Sequence, residues 1–293
     1  MIRLLAPRTL ALSLALAQSL TLSLATSAPA MADPAQRVLT LGGSVTEIAV
    51  ALGAQDRLIG RDTTSTFPPE VTGLPDVGYF RALSPEGVLA LNPDLILSET
   101  GAGPQEALDV LNAAGIPFIV AGADTTPEGL TAKIETVAQA LDLPAEGKAL
   151  ADKVAQGLQQ ARDRAATVQE PKRVLFILSL QGGRVMAGGE GSSAESIITL
   201  AGGINAGSGF EGYKQITDEA VLTAAPDVIL MMDREGDLAI NNDMVMAHPA
   251  LSQTPAAKAG RILRMDGLLL LGFGPRTPQA AVDLHALLYP GQG

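Results

Sequence analysis

Few side chains in this 293-residue sequence are equipped for chemistry, and their types exclude more than they suggest. There is no cysteine, so no thiolate nucleophile, thiolate metal site or disulfide can form. His248 and His285 are the only imidazoles and stand far apart, which excludes a zinc or manganese site built on three or more histidines; each reads as a surface or packing histidine. No G-x-S-x-G elbow, Walker A loop or H-E-x-x-H pair occurs, and Gly42-Gly43-Ser44 does not complete a G-x-G-x-x-G fingerprint. Carboxylates such as Glu47 and Asp62 could act as acid and base in an exported enzyme, but their spacing gives that reading no support. Aromatic residues make up only 3% of the chain, so each tyrosine carries weight. Tyr79 is followed two residues on by Arg81, a guanidinium that would lower the phenol's pKa from about 10 if the loop turned it toward the phenol oxygen.

These residues sit in a chain that repeats itself. Gly78-Tyr79-Phe80-Arg81-Ala82-Leu83-Ser84-Pro85-Glu86 is followed by Val88-Leu89 and Pro93-Asp94-Leu95-Ile96-Leu97; Gly212-Tyr213-Lys214-Gln215-Ile216-Thr217-Asp218-Glu219 is followed by Val221-Leu222 and Pro226-Asp227-Val228-Ile229-Leu230. The interval from Glu86 to Asp94 equals that from Glu219 to Asp227, and Arg173-Val174-Leu175-Phe176 echoes Arg37-Val38-Leu39-Thr40. Apolar runs at Val38 to Leu41, Leu58 to Gly60, Leu95 to Leu97, Phe118 to Val120 and Val228 to Met232 read as buried strands alternating with helices, the pattern of parallel α/β sheets. Ser44-Val45-Thr46-Glu47 has capping-box spacing with Gly53 placed to end that helix, and Ser84-Pro85 opens another. Between the halves, residues 144–170 carry one narrow apolar stripe at Leu150, Val154, Leu158 and Ala161, the mark of a long helix. The expected architecture is two similar α/β lobes, 33–143 and 171–293, with mainly parallel sheets flanked by helices and joined by the 144–170 helix. Ligands of open α/β sheets lie beyond the carboxyl ends of the strands, so facing lobes would enclose a cleft with Tyr79 and Tyr213 on its two sides.

Residues 1–32 read as an address label. Arg3 and Arg8 precede a Leu/Ala-rich run interrupted by polar residues, then Ala28-Pro29-Ala30-Met31-Ala32, the layout of a cleavable signal peptide with cleavage near Ala32. The rest is expected to be exported, soluble and monomeric. A net charge of −11 argues against a nucleic-acid partner, which would call for a basic face.

Four stretches carry a resemblance: Val38-Leu39-Thr40-Leu41-Gly42-Gly43-Ser44-Val45-Thr46-Glu47-Ile48, Val77-Gly78-Tyr79-Phe80-Arg81-Ala82-Leu83-Ser84-Pro85-Glu86-Gly87, Ala201-Gly202-Gly203 and Leu268-Leu269-Leu270-Leu271-Gly272-Phe273-Gly274-Pro275-Arg276. Together they resemble the periplasmic haem-binding proteins of bacterial ABC haem importers, the HmuT/PhuT/ShuT type, in the helical-backbone class of periplasmic binding proteins. The resemblance implies a non-enzymatic carrier that binds ferric haem b in the cleft, with Tyr79 as axial ligand, and delivers it to an inner-membrane ABC permease dimer. Phenolate is a hard oxygen donor suited to Fe(III). The resemblance further implies haem-site support from Arg81 and from an arginine of the other lobe, best matched by Arg234, with Tyr213 as a haem-wall contact. Glu86 and Glu219, one per lobe, would dock onto permease arginines; otherwise each simply favours its helix dipole. Met186, Met231, Met232, Met244 and Met246 could line an apolar slot or pack in the core. The stretch Leu178 to Gly183 offers no second histidine ligand, so five-coordinate or water-ligated iron is expected. A ferric-siderophore or corrinoid carrier of the same fold is the alternative, and a long linking helix predicts little lobe closure.

Overall fold

The computed structural model describes residues 33–233 and 239–291. Residues 1–32, read above as a signal segment, and Arg234 lie outside the described residues. Among the described residues no helix is long and apolar enough to cross a membrane.

The first lobe is a parallel sheet in the order β2-β1-β3-β4, formed by β1 (Val38–Leu41), β2 (Leu58–Arg61), β3 (Leu95–Glu99) and β4 (Phe118–Ala121). β1 is buried on both faces, as its unbroken apolar run requires. The helices that cover this sheet are α1 (Gly43–Ala51), α2 (Pro85–Ala90), α3 (Gln105–Ala113) and α4 (Pro127–Ala140). The second lobe holds β5 (Arg173–Ser179), β6 (Val185–Gly188), β7 (Ile204–Asn205), β8 (Tyr213–Ile216), β9 (Val228–Asp233) and β10 (Ile262–Asp266). Its order is β10-β9-β5-β6-β8, with β7 on the start of β5. β10, β9, β5 and β7 run parallel, but β6 pairs antiparallel with both β5 and β8, so this sheet is mixed. The reversal is made at Gly182 and Gly183, both at positive φ (60° and 71°), a hairpin geometry that side chains with a Cβ resist.

The internal repeat has a structural counterpart. The Asp94 carboxylate accepts the Arg37 N–H at 2.9 Å while Arg37 Nε and Nη2 donate to the carbonyls of Asn92 (2.8 Å) and Leu91 (2.6 Å). In the other lobe Asp227 accepts the Arg173 N–H at 2.9 Å, and Arg173 donates to the Ala224 carbonyl. Each clamp ties the start of a central strand to the turn after α2 or after its equivalent, α7 (Asp218–Ala224), where Asn92 and Ala225 adopt left-handed φ values of 49° and 39°.

Between the lobes runs α5 (Pro144–Ala165), burying Ala151, Val154, Leu158 and Ala161 on one stripe; Leu150 is only half-buried. The stripe packs on α4 of the first lobe and on α6 (Ser193–Leu200) and α11 (Thr277–Leu288) of the second. A single apolar cluster therefore runs from Val38 and Ile48 through Leu158 to Val174, Ile198 and Leu284.

The expected capping box at Ser44 does not form. Gly42 is the N-cap of α1, Ser44 lies inside the helix and is buried, and Glu47 points to another partner, described below. Ser84 does cap α2, its hydroxyl accepting the Gly87 N–H, and Gly53 (φ 83°) follows the end of α1.

Candidate functional site

The carboxyl ends of β1, β3, β9 and β10 converge on one cleft between the lobes. The first lobe supplies Thr63, Thr64, Thr66, Tyr79, Arg81 and Glu99; the second supplies Met232, Asp233, Leu268 and Leu271, with Gly267 and Gly272 of α10 (Gly267–Leu271) and its end. One wall is thus mainly polar and the other mainly apolar, with Leu268 and Leu271 half-buried.

Tyr79 is held out into this cleft by its neighbours. Asp76 pairs with Arg61 at 3.0 Å and accepts the Gly78 N–H at 2.8 Å, while Thr63 N–H donates to the Gly78 carbonyl at 3.1 Å, fixing the approach to Tyr79. The next residue, Phe80, is 4% exposed and plugs an apolar cluster with Leu83, Ile96 and Leu111, so the backbone is anchored on one side of Tyr79 and braced on the other. The Tyr79 ring meets Phe80 edge-on at 5.4 Å and remains 46% exposed.

Arg81 does not hydrogen-bond to the Tyr79 hydroxyl. Its guanidinium lies 4.7 Å above the Phe80 ring and against Gly101, where a Cβ would clash with Nη1. The cationic group therefore sits on the cleft rim beside the tyrosine rather than on its oxygen. Tyr213 is not part of the cleft lining. Its hydroxyl bonds to Ser193 Oγ at 2.7 Å and accepts the Ala194 N–H at 3.3 Å, its ring meets Phe176 edge-on, and burial pushes its pKa up. The equivalence of Tyr79 and Tyr213 is one of sequence position: the first follows a loop, whereas the second opens β8 and is spent on the first turn of α6. Of the five methionines only Met232 lines the cleft; Met231 is in the core, and Met244 and Met246 are exposed on α8 (Asn242–Ala247).

Both histidines are occupied by structure. His248 Nδ1 accepts the N–H groups of Ala250 and Leu251 at 3.3 Å, and Nε2 lies 3.0 Å from the Gly183 carbonyl. His285 is 3% exposed, bonded to the Ala201 carbonyl and packed on Tyr289. Among the described residues no histidine lines the cleft.

Glu47 and Asp62 are likewise committed. Asp62 accepts from Gly42 N–H, Thr64 N–H and the hydroxyls of Thr64 and Ser65. Glu47 accepts Arg276 N–H and Nε, both at 3.0 Å, with Nη2 at 2.9 Å, tying α1 of the first lobe to the segment before α11 of the second. These carboxylates hold backbone and lobes in place, and neither lines the cleft.

Two site residues escaped the sequence reading. Glu99 ends β3, where the strand-end rule would have pointed. Lys133 lies on the buried stripe of α4 with Leu130, Ile134 and Val137, a charge on an apolar face, and its ammonium donates to Ser44 Oγ at 3.2 Å and to the Phe273 carbonyl at 3.1 Å. Burial lowers its pKa from 10.5, partly opposed by the Glu99 charge. Because the folded pKa is the lower one, the unfolded chain binds more protons between it and 10.5, so this group's contribution to stability rises with pH across that window and is complete above it. Lys133→Met should remove that rise. Urea unfolding of both proteins at stepped alkaline pH checks it, and parallel stability–pH curves would refute it.

Glu86 and Glu219 stand at equivalent places, each the second residue of its helix, α2 or α7, after an N-cap of Ser84 or Thr217. Both are fully exposed. Hydrogen bonding to their own backbone N–H groups, and then to the cap hydroxyls, holds both carboxyls below the usual range.

A family model described as periplasmic binding protein matches residues 38–268. The structure is similar to a periplasmic heme-binding protein, RhuT from Roseiflexus sp. RS-1, in apo form, at 38% identity and a TM-score of 0.84, covering 88% of this chain and 99% of the other. It is also similar to the periplasmic heme-binding protein BhuT in complex with two hemes, at 40% identity and a TM-score of 0.82, with the same coverage. A vitamin B12-binding protein of Yersinia pestis (strain Pestoides F) is 32% identical over 202 residues, 68% of this chain and 70% of that protein.

Proposed function

The chain belongs to the periplasmic binding protein family, and from that premise we propose that it captures ferric haem b between its lobes, with Tyr79 as the iron ligand, and hands it to an ABC permease. One observation carries the reading: a braced loop presents a half-exposed tyrosine to a cleft whose opposite wall is mainly apolar, with Leu268, Leu271 and Met232 beside the single carboxylate of Asp233. A flat macrocycle would bury one face on that wall and offer iron to the phenol on the other. The structural likeness to heme-binding proteins at 38–40% identity supports the same cargo. Arg81, exposed on the rim, supplies a cation for an acidic ligand. With both histidines engaged elsewhere, the iron is five-coordinate or carries water. The chain acts in the periplasm as a monomer, its export directed by an N-terminal signal segment that is cleaved near Ala32.

A corrinoid cargo is the second reading, favoured by the vitamin B12-binding relative. Titrating ferric haem and cyanocobalamin separately into the purified protein decides between them. Saturable growth of a Soret band with no cobalamin binding is expected, and the reverse would overturn the haem reading.

Delivery rests on Glu86 and Glu219. Two ionised carboxylates at pseudo-equivalent positions, one per lobe, suit a partner with two equal basic pockets, as a permease dimer has. Replacing both by alanine is expected to leave haem affinity unchanged and to reduce uptake in permease-bearing cells or proteoliposomes severalfold; unchanged transport would refute the docking role.

A further inference from the structure

Glu99 sits at the cleft floor in the setting of a bound anion. α1 starts at Gly43 with Gly42 as N-cap, so no side chain of its own segment caps its first turn. Instead the Ser44 N–H donates to Glu99 Oε1 at 2.9 Å, the Ser44 hydroxyl donates to the same oxygen, and the Lys133 ammonium, on a residue 4% exposed, donates to Ser44 Oγ. A helix N-terminus backed by a hydroxyl and an ammonium attracts carboxylates and phosphates. Gly42 leaves the space the carboxylate fills: a Cβ there would fall 2.6 Å from the Glu99 carboxyl carbon.

We propose that Glu99 is a specificity-determining residue: an internal carboxylate that fills an anion seat at the start of α1 and so turns the acidic edge of the cargo away from the cleft floor, toward Arg81 on the rim. An incoming carboxylate at the floor meets like charge and finds the donors taken. Among the described residues lining the cleft, Arg81 is the one cation. The orientation rests on the haem reading above; the seat itself does not.

The test therefore has two arms. In the first, inorganic phosphate is titrated into purified wild type, Glu99→Ala and Glu99→Ala/Lys133→Met, followed by calorimetry. Saturable binding is expected in Glu99→Ala, absent in wild type and at least about tenfold weaker in the double variant, as loss of a charge-assisted contact implies. In the second, haem and its dimethyl ester are compared by Soret titration; Glu99→Ala is expected to move the affinity ratio about tenfold toward the free diacid, because a propionate can now enter the seat. If Glu99→Ala fails to fold by circular dichroism, Glu99→Ser, which stays polar at the strand end but is too short to reach the Ser44 donors, carries both arms with the same direction expected. A folded variant that gains no phosphate binding, or a wild type that binds phosphate equally, overturns the seat. Phosphate binding gained with an unchanged haem-to-ester ratio overturns the orientation. A wild type that binds no haem removes the cargo reading alone, and the phosphate arm then decides the seat.

Discussion

Tyr79→Phe and Tyr79→Ala are each expected to weaken ferric haem binding by at least about 100-fold, the upper end of what is lost when a mere supporting partner of a metal ligand is removed. Both variants should also lose the tyrosinate-to-iron charge-transfer bands. The expectation is large because, among the described residues, no imidazole and no second phenol lines the cleft. His248 and His285 are bonded to the Gly183 and Ala201 carbonyls, the Tyr213 hydroxyl is engaged at the first turn of α6, and on the second lobe's wall the Met232 thioether is a soft donor poorly matched to Fe(III), beside the Asp233 carboxylate. The phenylalanine variant separates ligation from ring packing, since it retains the edge-on contact with Phe80 and removes one oxygen. Soret titration with resonance Raman spectroscopy reads both effects. Tyrosinate bands that survive in Tyr79→Phe would place the iron on another residue.

Glu47→Ala is expected to cost about 3–5 kcal/mol of stability, the usual penalty for removing one partner of a buried ion pair. The Glu47 side chain is 6% exposed and that of Arg276 25%, so solvent screens the pair little. The loss leaves the Arg276 backbone N–H and guanidinium without their acceptor, although the guanidinium keeps its place 3.4 Å over the Phe67 ring. Urea unfolding of Glu47→Ala, Arg276→Met and the double variant gives the coupling energy, and additive effects would show that the two residues act independently. Because this pair joins the lobes beside an apolar cluster continuous through α5, little closure on ligand binding follows. Small-angle scattering curves with and without haem should superimpose, whereas marked compaction would contradict the tie.

Much of this protein was legible one segment at a time. The strand runs, the Ser84 cap, the long helix from Pro144 and the equal spacing of Glu86–Asp94 and Glu219–Asp227 depend on local periodicity and turn chemistry, which neighbouring residues carry by themselves. The clamps of Arg37 on Asp94 and Arg173 on Asp227 give that repeat its physical content. Local pattern misled where a side chain found a distant partner. Ser44 and Glu47 have the spacing of a capping box, but Ser44 bonds to Glu99, 55 residues away, and Glu47 to Arg276, 229 residues away. Tyr213 matches Tyr79 in sequence, yet a strand in place of a loop directs its hydroxyl into α6. By itself the sequence determined the α/β alternation, the duplication and the Tyr79-Arg81 loop as the chemical candidate. Only the tertiary structure decided that Arg81 packs on Phe80 rather than on the phenol oxygen, and that Glu99 and Lys133 meet at Ser44 under the cleft. Such contacts are fixed by how two sheets and the helix between them pack, which brings together groups that no short window of residues contains.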